Sequence, residues 1–332
     1  MSAREEAGGV VPYHGLDPGT VLDAVDVLGL WTDGRLLALN SYENRVYQVG
    51  LEESDPVVVK FYRPGRWLDE AILEEHAFAR ELVERDIPVV APLEFAGATL
   101  HRHRGFRYAV YPRRGGRPPE LDDSHALEWV GRFIGRMHAV GAVAPFRHRG
   151  SLSVESLGVS AVDTILAMGL IPGHLTEAYA TITRDVLERI RAAWQRAGRV
   201  EVLRLHGDCH PGNILWTDAG PHFVDLDDAM SGPAMQDLWM LLSGGRQEMS
   251  GQLADLLSGY EDFADFDRRQ LHLLEALRTL RMLSYSAWLA RRWDDPAFPQ
   301  AFPWFSGNRY WEEHVLALRE QAALLDESPL VV

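Results

Sequence analysis

His206-Gly-Asp-Cys-His-Pro-Gly-Asn213 and, a short β-prone interval later, Phe223-Val-Asp-Leu-Asp-Asp-Ala229 decide how this 332-residue chain reads. Asp208 is followed five residues on by Asn213, and Asp225 closes an apolar strand twelve residues further along. A tight loop joined to a hairpin brings these three oxygen-bearing side chains around one volume. Any one of them alone is more often a turn residue or helix cap than a catalyst. Together they offer a candidate base and a set of hard oxygen donors, the type that suits Mg2+.

Around this segment the texture changes twice. From Leu36 to Tyr111 short β-prone runs alternate with turns. Leu36–Leu39 and Arg45–Val49 flank the polar turn Asn40–Asn44 as a hairpin, and Val57–Tyr62 is a third strand. Leu68–Glu84 carries apolar residues at helical spacing until Ile87-Pro88, and strands near Pro92–Ala96 and Arg107–Tyr111 complete a sheet. After the Pro/Gly-rich stretch 112–119 the chain turns to amphipathic helices, the first with Leu127, Val130, Ile134, Met137 and His138 on one face and the others at about 174–197, 234–258, 267–292 and 309–325. This predicts an α+β fold with a β-rich N-terminal part, 1–114, holding five strands and one helix, and a helical part, 115–332.

Composition narrows the function classes. With 46% hydrophobic and 24% charged residues the chain packs a core, and its length suggests about two domains. A single cysteine, Cys209, excludes a disulfide framework and fits a reducing compartment. The 33 basic and 48 acidic residues leave a net charge of −15, which disfavours nucleic acid and anionic lipid as partners. The first residues, MSAREEAGG, read as a polar tail without signal-peptide order, and no apolar run is long enough for membrane insertion. The expectation is a cytoplasmic protein, with a monomer the favoured state.

The spacing of Asp208, Asn213 and Asp225 matches the catalytic loop and metal-binding aspartate of kinases, with Asp208 as base and Asn213 and Asp225 as Mg2+ ligands. Leu205–Trp216 with Val224–Ala229 resembles the aminoglycoside phosphotransferase and choline kinase branch of the protein-kinase-like fold. More narrowly, Asn40–Tyr47, Ile72–His76 and Gly232–Leu242 resemble the stress response kinase A family. The resemblance covers nearly the whole chain. It implies a two-lobed kinase-like fold, ATP and Mg2+ in a cleft between a small β-rich lobe and a larger helical one, and a serine/threonine protein kinase acting in stress response on a protein hydroxyl. A small-molecule kinase for an aminoglycoside, homoserine or choline is the alternative. A nucleotide-binding pseudokinase scaffold is another, and the intact Lys60, Asp208, Asn213 and Asp225 argue against it.

Strand alternation puts Val58, Lys60 and Tyr62 on one face, with Lys60 where the kinase lysine meets the α- and β-phosphates and Val58 over the adenine. Glu75 is the expected acidic partner of Lys60, with Glu74 as runner-up. The hairpin turn lacks the usual glycines. Aligning Val46 with the adenine-touching valine puts Ser41 and Asn44 at two of their positions. Gly207 stands where protein kinases carry arginine, and the interval from Asp225 to Asp237 leaves no room for a phosphorylated activation loop. Asp237 is the expected buried brace of the catalytic loop or a helix-start carboxylate. Asp227 is secondary to the metal site, and His206 and His210 are loop-bracing histidines rather than zinc ligands. Cys209 is more simply an inert buried thiol than a redox sensor. Part of the aromatic-rich C-terminal quarter, around Trp304 and Phe305, is a candidate wall for the acceptor groove.

Overall fold

The computed structural model describes residues 12–332; the N-terminal polar stretch read from the sequence lies outside them. The chain forms two compact units, one running to Arg80 and including Val90–Arg114, the other made of Glu81–Val89 and Gly115–Val332.

The first unit begins with α1 (Pro18–Asp26), then β1 (Thr32–Ala38), β2 (Arg45–Leu51), β3 (Val57–Phe61), all but the last four residues of α2 (Asp69–Glu84), β4 (His101–His103) and β5 (Phe106–Pro112). Among the described residues these strands make one antiparallel sheet in the order β1-β2-β3-β5-β4. The sequence predicts one helix beside this sheet; the structure has a second, α1. Asp17 caps it by accepting the Thr20 N–H at 2.7 Å, and Pro18 supplies a preset helical φ at its first position. Val21, Ala24 and Val25 of α1 pack with Val57, Val59 and Phe61, the face of β3 opposite Lys60. Tyr108 joins this core and donates its hydroxyl to the Ala24 carbonyl at 2.5 Å, and burial pushes its pKa up to about 12.

The strand expected near Pro92–Ala96 is not formed. Those residues make a single bridge, Phe95 with Ala98, and Leu93 N–H donates to the Val110 carbonyl at 2.7 Å. The edge strand is β4, His101–His103, whose polar composition carries no apolar alternation.

The second unit contains α3 (Ser124–Gly141), α4 (Ser160–Met168), α5 (Thr176–Ala197), β6 (Leu203–Leu205), β7 (Ile214–Thr217), β8 (Gly220–Phe223), β9 (Met230–Gly232), α6 (Met235–Trp239), α7 (Arg246–Tyr260), α8 (Leu274–Arg291), α9 (Ala297–Ala301) and α10 (Asn308–Leu324). The helix expected over 234–258 is two, α6 and α7, separated at Gly244-Gly245, where Gly244 has φ +80°. The helix expected over 267–292 starts as a 3-10 turn, Arg268–Leu273, before α8. α3 and α7 pack backbone to backbone: a Cβ on Gly131 would stand 2.0 Å from the Leu256 carbonyl oxygen. Ile165, Ile190, Leu283 and Trp311 share one core drawn from α4, α5, α8 and α10. Phe298, Phe302 and Phe305 are buried in that core, leaving Trp304 as the exposed aromatic of its segment. Among the described residues no helix is long and apolar enough to cross a membrane.

Candidate active site

β6 delivers the chain into His206, and β9, antiparallel to it, receives the chain after the second aspartate segment. Between them Pro211–Asn213 forms a 3-10 turn and β7 pairs with β8, Ile214 opposite Phe223. Val224 N–H donates to the Asn213 carbonyl at 3.0 Å, so Asn213 and Asp225 sit at the same end of this hairpin. Asn213 Nδ2 donates to the Asp208 carbonyl at 2.9 Å, which ties the residue to the loop through its amide nitrogen and not its amide oxygen. Asp225 adopts φ +60°, a left-handed conformation that aspartate tolerates better than most side chains, and it is exposed. The amide oxygen and the carboxylate form a hard donor pair that fits a Mg2+-type cation. Among the described residues no three His, Cys, Asp or Glu side chains group so as to hold a metal ion.

The loop is braced from beneath. Asp237, fully buried on α6, accepts the His206 N–H at Oδ2 and the Gly207 N–H at Oδ1, both at 2.8 Å. His138 of α3 reaches the same carboxylate through Nε2 at 3.1 Å and is held by the Tyr260 hydroxyl at Nδ1. Burial by itself would raise the Asp237 pKa. The His138 hydrogen bond, attraction to the His138 and His206 rings and the Gly207 N–H outweigh it and hold the carboxyl below its usual range. Gln236 donates to the Gly207 carbonyl at 2.8 Å, so both backbone groups of Gly207 are satisfied. Gly207 itself has φ +84°, and a Cβ there would stand 2.2 Å from the Asp228 carbonyl oxygen, which explains why no arginine occupies this position.

His206 donates from Nε2 to the Val224 carbonyl at 2.9 Å, linking the loop to the segment before Asp225. His210 accepts the Gly212 N–H at Nδ1 and turns Nε2 toward Asp208 Oδ2, 3.7 Å away. Burial lowers its pKa, Arg281 and His206 act the same way, and Asp208 and Asp225 oppose them. Asp227 is buried in the 3-10 turn after Asp225. Its carbonyl accepts from Arg149, whose Nε also donates to the Ala229 carbonyl at 2.5 Å, so one buried arginine pins the loop that follows Asp225. Cys209 is buried, and burial, then the negative charges of Asp237 and Asp208, push its thiol far up.

In the first unit, Val46, Lys60 and Ala109 stand opposite one another across β2, β3 and β5, with Gln48, Val58 and Tyr111 the next row of the same face. Lys60 is only 5% exposed, its Nζ 5.3 Å from the centre of the Tyr62 ring. Glu75 is 3% exposed, whereas Glu74 is half-buried, so it is Glu75 that α2 turns inward. The neighbouring His76 is fixed between the Tyr62 hydroxyl at 2.7 Å and Thr99 Oγ1 at 2.8 Å, and Tyr62 meets the Tyr111 hydroxyl at 2.9 Å. This chain of hydrogen bonds locks α2 to the sheet face that carries Lys60. In the hairpin turn, Ser41 Oγ donates to the Asn44 carbonyl at 3.0 Å, and Asn44 Oδ1 accepts the Arg63 N–H at 3.1 Å. Both side chains at the expected glycine positions are therefore engaged in shaping the turn.

Arg149, Gln236 and Arg281 escape sequence reading, since no spacing marks them. His138 does carry a signal, a histidine on an otherwise apolar helix face that demands a buried partner. Lys60 carries a stronger one: it is the only lysine among 33 basic residues, all the others being arginine. A buried position that keeps a compact ammonium in so arginine-rich a chain is one where the planar guanidinium does not serve.

Comparisons with known proteins bear on the family and the fold. The family model described as "Phosphotransferase enzyme family" matches residues 35–274. Stress response kinase A of Escherichia coli (strain K12) is 47% identical over 318 residues, 96% of each chain. Serine/threonine protein kinase RdoA of Salmonella typhimurium is 45% identical over the same share. Among solved structures, an amicoumacin kinase in complex with AMP-PNP, Ca2+ and its antibiotic superposes with a TM-score of 0.72 at 19% identity over 95% of each chain. A spectinomycin phosphotransferase in complex with ADP and spectinomycin gives 0.65 at 14% identity, over 93% of this chain and 98% of the other. These last two establish the kinase-like fold. With close to half its residues identical to those relatives and a family match over most of its length, the chain belongs to the phosphotransferase enzyme family and, within it, to the stress response kinase A group.

Proposed function

We propose that the chain is an ATP-dependent serine/threonine protein kinase of the bacterial stress response, acting on a protein partner with an accessible hydroxyl. The observation that carries this reading is the 45% identity, across 96% of the chain, to a relative named as a serine/threonine protein kinase. In the proposed reaction the acceptor oxygen bonds to the γ-phosphorus while Asp208 takes its proton. The bond from that phosphorus to the β–γ bridging oxygen breaks, and ADP leaves. Lys60, paired with Glu75, is assigned the α- and β-phosphates, Val46 and Val58 the adenine, and the Ser41–Asn44 turn the cover of the nucleotide. Asn213 and Asp225 are assigned Mg2+, which when bound offsets the charge of the phosphate oxygens. His206, Asp237 and Arg149 keep the loops in register.

The second reading is a small-molecule kinase, supported by the fold shared with the amicoumacin and spectinomycin enzymes, an analogy of fold alone. A polycationic acceptor is disfavoured by Arg281, whose guanidinium lies 3.0 Å from the Asp208 carboxylate. The deciding experiment incubates the full chain with labelled ATP and Mg2+, together with dephosphorylated casein, aminoglycosides, homoserine or choline. Label on protein serine or threonine supports the proposal; label confined to a small molecule overturns it.

A further inference from the structure

Asp208 is held from outside its own loop. Arg281 projects from the middle of α8, and its Nη2 lies 3.0 Å from Asp208 Oδ1. Oδ1 is buried and makes no hydrogen bond among the described residues; the Arg281 guanidinium meets it as an ion pair, by charge and proximity. Oδ2 faces only the more distant His210 Nε2. The backbone on either side is already fixed, through Asn213 to the Asp208 carbonyl and Asp237 to the two preceding N–H groups. The side chain keeps its own torsions, the last of which is broad and nearly two-fold when nothing distinguishes the two oxygens.

We propose that Arg281 is a positioning residue for the transfer reaction: its charge beside Oδ1 distinguishes the two carboxylate oxygens and leaves Oδ2 to receive the proton of the acceptor hydroxyl. The inference rests on Asp208 being the base. Stability does not account for the pair, because Arg281 is 43% exposed and such ion pairs contribute about 0–1 kcal/mol at most. Arg278, one turn earlier, bonds Glu275 on its own helix at 3.0 Å and reaches Met249 and the Trp239 ring on neighbouring elements. Arg281 crosses to the side chain whose orientation the proposed chemistry depends on. Misplacing a reacting group by about 1 Å is enough to cost roughly a hundredfold in rate.

The test measures turnover with casein, and ATP hydrolysis by water, which needs no identified acceptor. Arg281→Ala and Arg281→Met should lower kcat by about 10- to 100-fold with the KM for ATP and the melting temperature unchanged. Arg281→Lys should recover part of the loss. Added guanidinium ion, which can enter the half-exposed site, should rescue Arg281→Ala and leave Asp208→Asn unaffected. Combining Arg281→Ala with Asp208→Asn should give no loss beyond that of Asp208→Asn, since the arginine acts through that carboxylate. Wild-type turnover in Arg281→Ala, or a loss that adds fully to Asp208→Asn and resists rescue, overturns the inference. Full activity in Asp208→Asn would instead remove the assignment of the base.

Discussion

Asp237 holds Gly207 by the backbone: its Oδ1 accepts the Gly207 N–H at 2.8 Å while Oδ2 takes the preceding N–H of His206. A fully buried carboxylate is thus placed where it fixes two consecutive peptide groups one residue before the candidate base. Because its neighbours depress its pKa below the ordinary aspartate value, folding favours the charged form. The stability it contributes is present above that value and is lost as pH falls through the folded pKa.

Asp237→Asn keeps one oxygen but turns an amide toward a backbone donor. It should lose about 3 kcal/mol of stability and most turnover, read by denaturant unfolding and kinase assay. Below pH 4 the wild type should lose stability more steeply than the variant, because only the wild type takes up this proton. Parallel acid-unfolding curves for the two proteins would remove the assigned role of the charge.

Gly207→Ala should be among the most damaging small changes in the loop. The backbone there has φ +84°, and the new methyl would lie 2.2 Å from the Asp228 carbonyl oxygen. Left-handed strain alone costs about 1–2 kcal/mol, and a clash with backbone cannot be relieved by a rotamer change. A combined loss of about 3 kcal/mol is expected, with Asp208 and Asp225 pulled out of register. A variant with wild-type melting temperature and turnover would show that this approach is not needed.

Much of this arrangement is visible in the sequence because it is local. β3 alternates as Val57, Val59 and Phe61 against Lys60 and Tyr62, and α3 and α5 show one apolar stripe each, so period alone finds them. Where burial and period part company the reading fails. β4, His-Arg-His, is an edge strand defined by its pairing with β5, while the more apolar 92–96 has no such partner strand. The break between α6 and α7 was marked by Gly244-Gly245, a turn signal overridden by the apolar residues on either side. Asp208, Asn213 and Asp225 lie within eighteen residues and announce themselves by spacing. Arg149 and Arg281 reach the same loops from distant segments, and no one-dimensional pattern separates Arg281 from Arg278 on the same helix.

Cys209 tests whether proximity to the site means reactivity. Its thiol is buried, and the carboxylates of Asp237 and Asp208 add to the effect of burial in disfavouring the thiolate, the form that reacts with oxidants and disulfides. A chromogenic disulfide reagent should therefore modify the native protein only at the rate of opening, and quickly once denaturant is added. Cys209→Ala should retain turnover within twofold and lose about 1 kcal/mol. Rapid native labelling, or peroxide inactivation abolished in Cys209→Ala, would restore a redox role.

Lys60 offers the most selective probe of the nucleotide assignment, because the chain has no other lysine. An acyl-phosphate derivative of ATP transfers its acyl group to an amine next to the bound phosphates and releases ATP. Here the α-amino terminus is the only competing primary amine. If Lys60 meets the phosphates, labelling should fall on its peptide and be suppressed by excess ATP, despite the low exposure of the side chain in the free protein. Lys60→Arg keeps the charge but places a larger planar group at a buried position, so it should lose the label and about a hundredfold in turnover while still folding. The melting temperature checks the last point. Labelling of Lys60 that ATP does not suppress, or an arginine variant with full activity, would mean that this lysine is a buried structural cation, and the phosphate contact would have to come from one of the arginines.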